Sequence, residues 1–112
     1  MLRLISPAFT LLFVLVFSPA LLAAEALWID VRSAGEYKQE HVAAAVNIPY
    51  TEINGRIDEV TGDKEALIYV YCRSGRRSGI AQSTLEEAGY TNVVNLGGLE
   101  DAQTRASEIA VQ

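Results

Sequence analysis

Six consecutive apolar or aromatic residues, Ala66-Leu-Ile-Tyr-Val-Tyr71, run without a polar interruption into Cys72. A strand with one wet face alternates polar and apolar residues; one without alternation must be covered on both faces, as in a parallel sheet flanked by helices. The neighbouring segments agree. Ala26-Leu-Trp-Ile-Asp-Val31, Ala45-Val-Asn-Ile48 and Asn92-Val-Val-Asn-Leu96 read as further short strands. Ser33, with Glu36 at the capping-box position, predicts the start of a short helix. Ile53, Ile57 and Val60 have helical spacing within Thr51 to Val60, and Ile80-Ala81 with Leu85 and Ala88 predict a helix ended by Gly89. The tail from Leu99 predicts a short helix with a fraying end. Strands alternating with helices in this way predict a single α/β domain with a mainly parallel central sheet, and place ligands at the carboxyl ends of the strands. Cys72 stands at such an end.

The amino-terminal end is a different kind of polymer. No charge falls between Arg3 and Glu25, and Leu11-Leu-Phe-Val-Leu-Val-Phe17 has the length and apolarity of a signal-peptide core. Arg3 supplies the positive start, and Pro19 with Ala20, Ala23, Ala24 and Ala26 supplies the small-residue end. Residues 1–23 therefore read as a signal peptide cut between 23 and 26, with residues 24–112 as the exported, periplasmic domain. A retained anchor is the competing reading, since the uncharged stretch is just long enough to span a bilayer. The alanines and Pro19 favour cleavage, after which no stable membrane association is expected.

Cleavage takes Arg3, one of the 9 basic residues, and none of the 14 acidic ones. The whole chain already carries a formal charge of -5, so no basic surplus is available for nucleic acid. One cysteine in 112 residues excludes an internal disulfide and a multi-cysteine zinc site. No metal or organic cofactor is expected. Oligomeric state has no signature in the sequence.

The segment after Cys72 reads Arg73-Ser74-Gly75-Arg76-Arg77-Ser78. A thiolate is the reactive form of cysteine, and converging backbone N–H groups, a helix N-terminus and nearby cations all favour it. None of these six residues is proline, Gly75 permits a tight turn, and three arginines cluster in an otherwise acidic chain. Such a cradle would stabilise a sulfur anion and attract an anionic substrate. The alternative is a buried core cysteine beside a solvated helix start. Cations at a helix N-terminus oppose its dipole, which argues against a purely structural role for them.

In this order and spacing, several motifs resemble the rhodanese family, in its single-domain exported form, across essentially the whole domain. Cys72-Arg-Ser-Gly-Arg-Arg77 is similar to the family's C-x-x-G-x-R loop. Asp30-Val31-Arg32, Glu36-Tyr37, His41-Val-Ala-Ala-Ala-Val-Asn-Ile-Pro49 and Gly89-Tyr90-Thr-Asn-Val93 leading to Gly97-Gly98 complete the resemblance. It implies a rhodanese-like fold and a sulfurtransferase. Cys72 would take the outer sulfur of thiosulfate or a similar anionic donor as a persulfide and pass it to cyanide, a thiol or another thiophilic acceptor. The loop residues Arg73, Ser74, Gly75, Arg76, Arg77 and Ser78 would bind the substrate. A rival reading keeps the Cys72 persulfide but makes the protein a non-enzymatic carrier or redox sensor serving a protein partner.

Cysteine-dependent phosphatases use C-x5-R, and here the corresponding position is Ser78; the smaller loop suits a sulfur atom better than a phosphoryl group. Asp30, Arg32, Glu36 and His41, like Gly97 and Gly98, read as scaffold. Asp30 and Arg32 can pair with Glu36 or with backbone, and His41 can fix a turn. Trp28 reads as core. Glu40 and Ala44 stand where many family members have glycine, and Ala102 stands near a position where tryptophan is common, which leaves open the C-terminal packing and one wall of the pocket.

Overall fold

The structure, a computed structural model, describes residues 25–112; the expected export segment, residues 1–23, lies outside them. Strands β1 (Leu27–Asp30), β2 (Ala45–Asn47), β3 (Ile68–Cys72) and β4 (Val93–Gly98) form one sheet in the order β2-β1-β3-β4, and every neighbouring pair is parallel. The helices are α1 (Ala34–Gln39), α2 (Ile53–Arg56), α3 (Arg76–Glu87) and α4 (Leu99–Ala110).

All five residues of β3 are buried, because the sheet separates two apolar clusters. Ile68, Val70 and Cys72 join Ile29, Val31 and Val93 on one face, against Ile53 and Ile57 and against Ala81 and Leu85 of α3. Tyr69 and Tyr71 join Trp28 on the other, against Val42 and Ala102. Trp28 meets Tyr69 edge-on at 4.9 Å between ring centroids, so it is core as expected. Ala102 is fully buried in this second cluster, on the face opposite Cys72, and so forms no wall of the cysteine site.

Two local expectations are corrected. Thr51 to Val60 is not one helix: α2 sits between 3-10 turns at Tyr50–Glu52 and Ile57–Glu59, and no side chain caps any of the three. Asn54-Gly55 at its centre is a poor helix former, so burial of Ile53 and Ile57 shapes the segment more than propensity does. Helix α3 begins at Arg76, so the loop arginines do stand at a helix start, and Gly75 at φ 101° turns the chain into it straight out of the Cys72 loop. It ends as expected at Gly89, where the N–H groups of Gly89 and Tyr90 donate to Glu86 and Leu85. Finally, β4 does not stop at Leu96. Asn95 pairs with Val70 and Gly97 with Tyr71, so Leu96 forms a bulge and Gly98 lies opposite Cys72.

Candidate active site

Cys72 ends β3 and is 1% exposed. The chain then curls back so that the Gly75 N–H donates to Cys72 Sγ at 2.9 Å, while Ser78, on the first turn of α3, places its hydroxyl 3.4 Å from the same sulfur. Burial pushes the Cys72 thiol up. The Ser78 hydroxyl and the backbone N–H groups of Ser78, Ser74 and Gly75 outweigh burial, and the pKa falls below the ordinary cysteine value. Sulfur anion stabilisation here therefore comes from hydrogen-bond donors at the start of a helix rather than from direct arginine contact.

The three arginines separate. Arg77 is held by Glu36 of α1 in a two-pronged pair, Nη1 to Oε1 at 2.7 Å and Nη2 to Oε2 at 3.0 Å. Glu36 also caps α1, accepting from the Ser33 N–H at 3.1 Å while Ser33 Oγ accepts from the Glu36 N–H. The Arg77 guanidinium, followed by the Ser33 contacts, holds the Glu36 carboxyl at about 2 against burial. Glu36 is thus the partner of Arg77, not of Asp30 or Arg32, and it offsets a cation at a helix N-terminus. Arg73 and Arg76 are exposed at the loop and form no ion pair among the described residues.

Asp30 and Arg32 pair with each other inside the scaffold, Arg32 Nη2 to Asp30 Oδ2 at 2.6 Å, and are 0% and 5% exposed. Arg32 also donates to the Glu40 carbonyl at 2.6 Å, tying β1 to the chain that follows α1. The His41 ring stacks on Tyr37 at 3.6 Å, and its Nδ1 lies 2.8 Å from the Tyr37 carbonyl. With that nitrogen as donor, His41 closes the end of α1 and stands apart from the hydrogen bonds at the cysteine. No Cys-His-Asp triad forms.

Gly98 is required by close approach. A Cβ there would lie 2.5 Å from the Arg73 carbonyl oxygen, a backbone atom that can yield only by moving the loop. The sequence reading missed Asn95. Its Nδ2 donates to the Gly75 carbonyl at 3.0 Å, and its Oδ1 accepts from the Gly97 N–H at 2.9 Å and from the Ser78 hydroxyl at 2.7 Å. The signal was available: Asn95 lies two residues beyond Val93 and so on the same face of the strand, where an apolar residue is the rule. A groove at the opposite, amino-terminal ends of the strands, lined by Trp28, Val46, Leu67 and Ile109 among others, takes no part in this site.

A parallel sheet ending in a cysteine cradled by a short loop and the start of a helix defines the class. The chain belongs to the rhodanese family: the family model for a rhodanese-like domain matches residues 19–104. Within it, the chain is 52% identical over 87 residues to the thiosulfate sulfurtransferase PspE (phage shock protein E) of Escherichia coli strain K12, covering 78% of this chain and 83% of the relative. A solved structure of a rhodanese with anions from E. coli matches with a TM-score of 0.66 and 49% identity, over 69% of this chain and 91% of that one. A putative sulfur carrier protein of Bacillus subtilis strain 168, YrkF, is 38% identical over 68 residues; these cover 61% of this chain but 36% of the relative.

Proposed function

We propose that the chain is a thiosulfate sulfurtransferase that works through a persulfide on Cys72, in the periplasm after removal of residues 1–23. The observation that carries this is the sulfur of Cys72, buried at a strand end and surrounded by hydrogen-bond donors that lower its pKa. The Cys72 thiolate attacks the outer sulfur of thiosulfate. The S–S bond of the donor breaks with its electron pair leaving on sulfite, and Cys72 is left as a persulfide anion. Cyanide, or a thiolate acceptor, then attacks the outer persulfide sulfur, and the electron pair returns to Cys72.

In the persulfide the negative charge lies on the outer sulfur, one S–S bond beyond Sγ, and an anion at the start of α3 is favoured by the helix dipole and by backbone N–H groups. Arg73 and Arg76 at the rim favour an anionic donor and the departure of sulfite, while Arg77 is braced by Glu36. Similarity to PspE supports thiosulfate as donor. Similarity to a putative sulfur carrier supports the second reading, a carrier that passes the same sulfur to a protein partner.

Steady-state turnover with thiosulfate and cyanide decides between them. Parallel-line, ping-pong kinetics abolished by Cys72→Ala support the enzyme. A persulfide that forms but turns over no faster than in buffer supports the carrier, and absence of any persulfide defeats both.

A further inference from the structure

Ser78 is fully buried, and its hydroxyl has three acceptors within reach: Asn95 Oδ1 at 2.7 Å, the Gly75 carbonyl at 3.1 Å and Cys72 Sγ at 3.4 Å. It has one proton to give. The orientation of the Asn95 amide is set by its other contacts, because the Gly97 N–H needs an acceptor and the Gly75 carbonyl needs a donor. Oδ1 therefore faces Ser78, at the shortest of the three distances. The Gly75 carbonyl is already occupied by the Gly79 and Asn95 N–H groups, which leaves Asn95 and the sulfur as the real competitors.

We propose that Asn95 is a positioning residue acting through Ser78: it holds the serine proton while Cys72 is a neutral thiol and yields it to the sulfur when the sulfur is charged. This deepens the reading of Cys72 as the reactive thiol and rests on it. With the proton on Asn95, the Ser78 oxygen is free to accept from the thiol S–H. When the sulfur becomes a thiolate, rotation about the Ser78 Cβ–Oγ bond redirects the same proton to it, with no bond made or broken. Asn95 thus stabilises the thiol state and tempers how far Ser78 lowers the sulfur's basicity. The consequence is chemical, because a thiolate loses nucleophilicity as its pKa falls.

The charged and titratable groups around the sulfur are Arg77 of α3 with Glu36 of α1 and Tyr50 beside it, Arg76 at the start of α3, Arg73 of the loop, and Asp101 of α4, which accepts from the Gly98 N–H. None is hydrogen bonded to Ser78 or Asn95 among the described residues. The competition for the serine proton is therefore separable from the ionic surroundings.

The test is the pH dependence of Cys72 alkylation by iodoacetamide, measured without any sulfur donor on wild type, Asn95→Ala, Asn95→Asp, Ser78→Ala and the two double variants. Asn95→Ala is expected to lower the thiol pKa by about half a unit to one unit, and to lower the plateau alkylation rate constant about two- to threefold. Ser78→Ala raises the pKa, and Asn95→Ala adds nothing to it. Asn95→Asp holds the proton harder and raises the pKa, by at least twice as much with Ser78 present as with it replaced; this pair decides the matter if Asn95→Ala does not fold. A scaffold role gives the opposite sign for Asn95→Ala, because a loosened loop loses donors and the pKa climbs. A rise, no change, or a shift that persists in full in the Ser78→Ala background overturns the proposal. Shifts of the expected sign in a protein that takes no sulfur from thiosulfate overturn the sulfurtransferase reading alone.

Discussion

Glu36→Gln separates two functions that one side chain combines. Glutamine keeps an oxygen for the Ser33 N–H, so the cap on α1 survives, while the charge opposite Arg77 disappears. In the wild type the carboxyl is lowered from 4.5 to about 2, chiefly by the Arg77 hydrogen bonds. A folded-state pKa below the unfolded one means stability that is fully present above about pH 4.5 and lost as pH falls toward 2. At 1.36 kcal/mol per pKa unit the ceiling is about 3 kcal/mol. The side chains of Arg77 and Glu36 are 25% and 27% exposed, and solvent screening brings the expected contribution to about 1–2 kcal/mol.

Urea unfolding of both proteins between pH 2.5 and 7, on a scale of about one pH unit per step, measures it. The wild type is expected to be more stable by about 1–2 kcal/mol at pH 6, with the gap closing between about pH 5 and 2.5. Parallel curves over that interval, or a Glu36 titration near 4.5 in the folded protein, would refute the coupling of α1 to the cysteine loop.

Three further outcomes follow from the packing. Asp30→Asn leaves Arg32 buried without its counter-charge and is expected to cost about 3–5 kcal/mol in urea unfolding; a loss below about 1 kcal/mol would show that the pair is dispensable. His41→Ala removes a ring stack and a bond to the Tyr37 carbonyl, for an expected loss of about 1–2 kcal/mol with turnover per folded molecule unchanged, and a fall in that turnover would place His41 in the chemistry. Gly98→Ala drives a methyl group against the Arg73 carbonyl and is expected to cost about 1–3 kcal/mol, with at least about a tenfold loss of turnover through displacement of the loop; wild-type kinetics would show that the contact can relax freely.

Much of this was legible because the relevant signals are local. The unbroken apolar run of β3 announced a sheet covered on both faces, and Cys72 followed it directly. Ser33 and Glu36 declared the cap of α1, and the resemblance of the Cys72 loop singled out the cysteine that the structure surrounds with hydrogen-bond donors. What sequence could not show was partner choice between segments far apart in the chain. Glu36 could have met Arg32, four residues back, but meets Arg77, 41 residues on, because the first turn of α3 lies beside α1. Arg77 looked like a free cation for the same reason. Strand alternation puts Asn95 on the core face, but that its amide meets the Ser78 hydroxyl and the Gly75 carbonyl depends on how the cysteine loop and α3 fold back over β4, which spacing along the strand does not show.

The central claim is that sulfur resides covalently on Cys72. Intact-mass spectrometry of the purified domain after brief exposure to thiosulfate, followed by cyanide, tests this directly. The expected result is a gain of one sulfur atom on Cys72, lost on addition of cyanide with release of thiocyanate, and absent in Cys72→Ala. An unmodified mass under conditions that support turnover, or a gain that persists in Cys72→Ala, would contradict the account.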